Sequence, residues 1–211
     1  MTMQLIAHRG YWLEPAEKNT SVAFVRALQN GFGIETDFRD FNAGLVVSHD
    51  VPTASAMTAS EFARLFRATP VNAPMALNIK ADGLQKLLAD FAVECPMPDA
   101  FVFDMSVPDM RGYLTGNIPV YTRLSEFEPQ PAFFEQSAGV WLDAFEGEWY
   151  GMPVIQGLLD QGKKVAIVSP ELHRRPHLAL WTQLRDNGLH LHRTLSLCTD
   201  FPLDARTFFH A

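Results

Sequence analysis

The chain is short of several things, and each shortage removes a class of explanation. Of its 211 residues only two are cysteines, Cys95 and Cys198. They show no metal-ligand spacing and both sit beside apolar residues, so buried free thiols are expected rather than a disulfide. No apolar run approaches the ~20 residues needed to cross a bilayer, and no stable membrane insertion is expected. The first such run is a few residues long, lacks a basic start and ends at His8. It does not read as a secretory leader, and cytoplasmic residence is expected. Positive charge is scarce too: 17 Lys and Arg stand against 24 Asp and Glu, a formal net charge of −7. That balance argues against nucleic acid or an anionic membrane as a partner. Anionic small molecules stay open, because a metal and a few local cations can reverse the sign inside a cleft. There is no long linker, low-complexity tract or internal repeat. With 47% hydrophobic and 19% charged residues, 1–211 reads as one globular domain with a substantial core.

What is present is an alternation. Strand-like apolar runs occur at 3–7, 32–36, 75–79, 100–104, 118–122, 139–143, 164–168 and 194–198. Amphipathic stretches at 20–30, 58–67, 83–93, 107–115, 151–162 and 177–187 lie between them. Eight strands with interleaved helices predict an α/β fold, a (β/α)8 TIM-type barrel near the lower size limit of that architecture. The rival is a doubly wound open sheet. That fold normally carries a glycine-rich phosphate turn after its first strand, and His8-Arg9-Gly10-Tyr11-Trp12 is not one. The segment Asp40–Leu45 reads as a hairpin with Asn-Ala-Gly at its turn, returning the chain toward His49 without using a barrel strand.

Polar residues gather where the strands end. In order these are His8, Glu35 with Asp37, Asn78 with Lys80, Asp104, Arg123, Asp143, Glu171 and Asp200. In a barrel all of them reach the C-terminal mouth, where such folds keep their chemistry. Glu35 and Asp37 are two apart, so on a strand they face the same way. Two carboxylates so placed repel each other, and a hard divalent cation, Mg2+ or Ca2+, removes that repulsion. The plainer alternative is a strand end paired with Arg9 or Arg39. His8 and His49 together can divide the proton removal and proton delivery that phosphodiester cleavage requires. Singly, each is as well explained by a structural hydrogen bond. Arg9 offers a fixed fork of donors to a phosphate oxygen, Lys80 a point charge, and Arg123 a further substrate contact. Aspartates at strand ends often only cap the next helix, so Asp104, Asp143 and Glu171 are additional candidates.

The ordered set His8-Arg9-Gly10, Glu17-Lys18-Asn19-Thr20, Glu35-Thr36-Asp37, His49-Asp50, Asn78-Ile79-Lys80 and Thr199-Asp200-Phe201-Pro202 resembles the glycerophosphodiester phosphodiesterase family. The resemblance runs from residue 4 to residue 202. It implies a TIM-type barrel, a divalent cation and a small-molecule phosphodiester substrate, with His8 and His49 as the acid–base pair. By position, Glu35 and Asp37 match metal ligands, Arg9 a phosphate contact and Lys80 the lysine of the third-strand motif.

The chain departs from the family at three places. Asn78 stands where the family usually has a metal-binding glutamate; its carbonyl can still ligate a hard cation but brings no charge. The stretch after His49 is too short for the small inserted lobe common in the family. The later strand ends, including Ser169-Pro170-Glu171-Leu172-His173, lack the tryptophan-containing motif of well-known members. Two other readings share these residues: a phospholipase D-like lyase that closes a cyclic phosphate, and a barrel that binds a phosphorylated ligand without cleaving it.

Overall fold

A computed structural model describes residues 2–210. Eight parallel strands close on themselves: β1 (Gln4–His8), β2 (Gly33–Phe41), β5 (Met75–Ile79), β6 (Ala100–Phe103), β7 (Tyr121–Leu124), β8 (Gly139–Leu142), β9 (Lys164–Val168) and β10 (Leu195–Thr199). β10 pairs back onto β1. The β6–β7 seam is the weakest. It is joined by one bridge, Val102 to Val120, with the Val102 N–H donating to the Pro119 carbonyl at 2.9 Å. β3 (Gly44–Val47) and β4 (Met57–Thr58) are antiparallel additions to β2 that stand outside the barrel. The helices are α1 (Ser21–Gln29), α2 (Ala59–Ala68), α3 (Gln85–Glu94), α4 (Val107–Tyr113), α5 (Met152–Asp160), α6 (Leu178–Asp186) and α7 (Pro202–His210). Among the described residues, the β7–β8 connection carries no helix.

The predicted barrel is therefore the observed one, with informative shifts. β2 runs to Phe41, well beyond 32–36, because Phe38–Phe41 find partners in β3. The hairpin turn is Asn42-Ala43, both at positive φ (49° and 62°), the geometry that suits two-residue hairpins. β7 starts at Tyr121, later than 118–122 suggested. Pro119 has no N–H for the ladder, so regular pairing begins beyond it and Arg123 falls inside the strand. α7 had no place in the sequence reading.

Alternate strand residues point inward and fill the barrel. Ile6, Ala76, Phe101, Phe103, Tyr121, Trp141, Ala166, Val168 and Cys198 form this inner cluster. The bulk is one-sided: Phe101 stacks on Tyr121 at 3.8 Å and Phe103 on Trp141 at 3.9 Å, facing small Ala76, Ala166 and Cys198. Gly139 makes room at the floor, where a Cβ would lie 2.6 Å from the Tyr121 ring. Outside the strands, helices bury further apolar layers around Phe24, Phe38 and Phe62 and around Trp181, Ile155 and Leu184. Both cysteines are free and buried, and burial pushes the Cys198 thiol well up.

Candidate active site

The inward alternation that fills the barrel continues to its mouth and changes chemistry there. Glu35 and Asp37 are the last inward positions of β2 before the hairpin, and both are buried, at 1% and 0% exposure. Register places His8 beside Glu35 and Asp37 beside Asn78. One Glu35 oxygen accepts the Arg9 backbone N–H at 3.1 Å, and the other accepts the Asn78 amide at 3.1 Å. Asp37 Oδ2 accepts the Asn19 amide at 2.8 Å, with Arg9 Nε 3.3 Å away. Lys80 Nζ lies 3.6 Å from Asp37 Oδ1. Burial, and then the charge of Asp37, push the Glu35 carboxyl up to about 7.

The local backbone serves this arrangement. Arg9, Asn19 and Asp104 all adopt left-handed φ, at 56°, 58° and 72°. Non-glycine residues hold that conformation at a penalty and cluster at functional sites. At Arg9 it turns the N–H onto Glu35. Gly10 follows at φ +86°, and a Cβ there would meet Ala23 Cβ at 2.8 Å, so α1 can pack close behind the site. Glu17 accepts the Leu13 N–H at 2.9 Å and an Arg26 guanidinium N–H at 2.7 Å. These contacts hold the loop that presents Lys18 and Asn19.

Two buried oxygens beside Glu35 bear on whether a divalent cation fits here. Asp37 Oδ1 and Asn78 Oδ1 are both buried without a hydrogen-bond partner. Such orphaned oxygens are uncommon and call for an explanation. With the Glu35 carboxylate they supply oxygen donors of the kind hard cations take. Two of the three residues are anionic, and among the described residues no cluster of three or more His, Cys, Asp or Glu is arranged around a metal position. The fit is thus to an ion held by two carboxylates and an amide carbonyl.

The two histidines are held alike. His8 Nδ1 lies 2.7 Å from Asp200 Oδ1, while Nε2 faces Glu35 at 3.9 Å. Asp200 is largely buried, which raises its pKa. The hydrogen bond and charge of His8 outweigh that and hold the carboxyl below its ordinary value. Lys18 Nζ is 3.7 Å from the other Asp200 oxygen. His49 Nδ1 lies 2.8 Å from Asp50 Oδ1, with the ring partly open to solvent. It is joined to the site through its neighbour, since the Ser48 N–H donates to the Asp37 carbonyl at 2.9 Å. The hydrogen bond from His49 lowers the Asp50 carboxyl. In both cases Nδ1 is engaged by an aspartate and Nε2 is left for other work.

The remaining candidates occupy the far side of the mouth. Asp104 joins Lys80, at 3.3 Å, to Arg123. Arg123 also meets Glu128 at 3.0 Å. Asp143 accepts from the Ala144 N–H and lies 2.7 Å from His173 Nε2. Glu171 accepts the Thr199 hydroxyl and the Asp200 N–H, fixing the strand end that carries Asp200. All three later carboxylates are thus engaged with partners other than Glu35 and Asp37. Asn19 and Lys18 enter the site although neither was singled out as a member, and Asp200, expected at the mouth as a strand end, is bound to His8. Their positions inside the ordered motifs were the available signal.

No protein-family profile matches the chain, and no curated protein matches it in sequence. Solved structures do. A protein from Galdieria sulphuraria, provisionally assigned as a glycerophosphodiester phosphodiesterase, superposes with TM-score 0.76 at 15% identity, over 100% of this chain and 99% of that one. The glycerophosphodiester phosphodiesterase of Agrobacterium tumefaciens gives 0.66 at 17% identity, over 97% and 99%. A Ca2+-dependent phosphatidylinositol-specific phospholipase C from Streptomyces antibioticus gives 0.53 at 11%, over 99% and 96%. The shared fold is the TIM barrel. At such identities the likeness speaks to the fold, and the chemistry rests on the site's own residues.

Proposed function

We propose that the protein is a phosphodiester hydrolase of the glycerophosphodiester phosphodiesterase type, dependent on a divalent cation, Mg2+ or Ca2+. One observation carries the reading: at a barrel mouth His8, with Nδ1 on Asp200, turns Nε2 toward the buried pair Glu35 and Asp37, and His49, with Nδ1 on Asp50, follows the residue that bonds the Asp37 carbonyl. A site that only bound phosphate would have little need of two oriented proton carriers. The barrels it resembles bear names of phosphodiester-cleaving enzymes, one of them Ca2+-dependent, which supports the same reading.

Glu35, Asp37 and the Asn78 carbonyl would hold the cation, which when bound polarises the phosphate and lowers the pKa of a coordinated hydroxyl. Arg9 and Lys80, already beside Asp37, draw the non-bridging oxygens to the mouth and offset charge that builds on them. Arg123 extends this cationic side toward the alcohol portion. Asp200 and Asp50 fix Nδ1–H tautomers, so that the Nε2 atoms of His8 and His49 exchange protons with the attacking and leaving oxygens. Asp200 and Asp50 act through the histidines and are positioning residues.

The test is a screen of phosphodiesters with varied alcohols in Mg2+ or Ca2+, comparing wild type with His8→Ala and His49→Ala. Each variant should lose two to four orders of magnitude in turnover, roughly the contribution of acid–base catalysis. Near-wild-type turnover by either on a good substrate would make that histidine structural and the paired mechanism wrong.

A further inference from the structure

The barrel interior is filled in its middle, while its floor is left open. Ile6, Phe101, Trp141, Ala166 and Cys198 point inward. Two positions earlier stand Gln4, Asp99, Gly139, Lys164 and Ser196, which the two-residue period also turns inward. Pairing keeps them close: Gln4 lies beside Ser196, and Gly139 beside Tyr121 and Lys164. Barrels usually fill such a layer with bulky branched apolar side chains. Here the layer is polar, and Gly139 adds no volume to it. A cavity of about 430 Å³ opens there, which Asn72, Arg193 and Thr194 also line.

Two buried hydroxyl groups line this cavity. Tyr121 is 5% exposed and Ser196 9%, and neither hydroxyl has a hydrogen-bond partner among the described residues. Buried polar groups without partners are uncommon and call for an explanation. Burial, and then the charge of Asp99, push the pKa of the Tyr121 hydroxyl up, so it keeps its proton and can donate.

Charge narrows the ligand. Two cations, Lys164 and Arg193, stand against one carboxylate, Asp99, in a chain of formal net charge −7. Lys164 Nζ lies 3.7 Å from Asp99 Oδ1, whereas Arg193 is exposed and has no ion pair among the described residues. Lys164, Ser196 and Gln4 come from the adjoining strands β9, β10 and β1, and Arg193 from the segment just before β10. Asp99 precedes β6, across the floor. The β9–β10–β1 side is therefore rich in donors and free of fixed negative charge. Ammonium, guanidinium, hydroxyl and amide N–H groups together suit the oxygens of a small anion.

We propose that the barrel floor is a second binding site, which takes a small phosphate-bearing anion on Arg193, Lys164, Ser196 and the Tyr121 hydroxyl. It lies at the end of the barrel opposite Glu35 and Asp37, and it does not rest on the chemistry proposed at the mouth.

Titration with inorganic phosphate, and separately with glycerol 3-phosphate, tests the site through amide NMR shifts. Chelator is present throughout, and chloride holds ionic strength constant. In wild type the amides of Gln4, Thr194 and Ser196 should shift and saturate. Arg193→Gln should weaken this binding by about tenfold or more, the scale of a charge-assisted hydrogen bond. Tyr121→Phe should weaken it less, and Lys80→Met at the mouth should leave it unchanged. Arg193 is exposed, so its replacement disturbs no packing, and equal melting temperatures in phosphate-free buffer check this. Tighter binding of the monoester would identify an ester as the natural ligand, and equal or tighter binding of inorganic phosphate the free ion. Shifts confined to mouth amides, shifts reproduced by chloride alone, or unchanged floor affinity in Arg193→Gln would each overturn the site.

Discussion

Single side chains carry the proposed chemistry at this mouth, and Asn78 is the most diagnostic. Its amide bonds Glu35 while its buried carbonyl has no partner. Asn78→Glu would add a third carboxylate. Cation affinity should rise by about an order of magnitude, because affinity follows ligand charge, while the cation-free protein should melt lower from like-charge repulsion. Titration calorimetry and thermal melts read the two effects. Unchanged affinity would place residue 78 outside the ligand set. Glu17 offers a pH test. The Arg26 hydrogen bond, with the Leu13 N–H, holds its carboxyl down from 4.5 to about 2. A depressed acid stabilises the fold above its unfolded value and loses that contribution as pH falls through the folded value. The stability difference between wild type and Glu17→Gln should be full near neutrality and shrink from about 4.5 down toward 2. A difference constant across that window in denaturant titrations would mean that the Glu17–Arg26 contact contributes nothing.

At the scale of elements, the first strand and helix meet through Gly10. Its φ of +86° and the 2.8 Å approach to Ala23 leave no room for a Cβ. Gly10→Ala should therefore cost about 1–3 kcal/mol in chemical denaturation, the range for a strained backbone position. It should also lower turnover more than stability alone accounts for, because Arg9 and His8 precede it. Full activity and stability in this variant would show that α1 can withdraw freely. The hairpin of β2 and β3 has a comparable role, since it carries the chain back to Ser48, which bonds Asp37, and so delivers His49.

The whole molecule depends on a barrel interior filled unevenly. Phe101, Phe103, Tyr121 and Trp141 supply the volume on the side of the weak β6–β7 seam, where one bridge closes the ring. Trp141→Ala should destabilise the protein by about 3–5 kcal/mol, as for other buried aromatics. It should also loosen Arg123, its register partner on β7, and Asp143, two residues further along the chain. A loss under about 1 kcal/mol would mean that neighbouring rings collapse into the space. Amide hydrogen exchange should find β6 and β7 the earliest barrel strands to open.

The sequence by itself determined the architecture and which polar residues end its strands. Strand and helix periods are local properties, and eight apolar runs ending in polar residues allow few arrangements other than a barrel with one chemical end. The inward direction of Glu35 with Asp37, and of Asn78 with Lys80, followed from the two-residue period of a strand. Other features were not local. β2 extends to Phe41 because β3 pairs with it, and β7 begins late because Pro119 cannot donate. Arg9, Asn19 and Asp104 take left-handed turns that no residue preference demands. Only the closed ring sets Asp200 against His8, 192 residues apart in the chain, and engages Asp104, Asp143 and Glu171 with partners of their own. Hydrogen bonds of this kind depend on distances across the barrel, which arise from strand number and register and are written in no single segment.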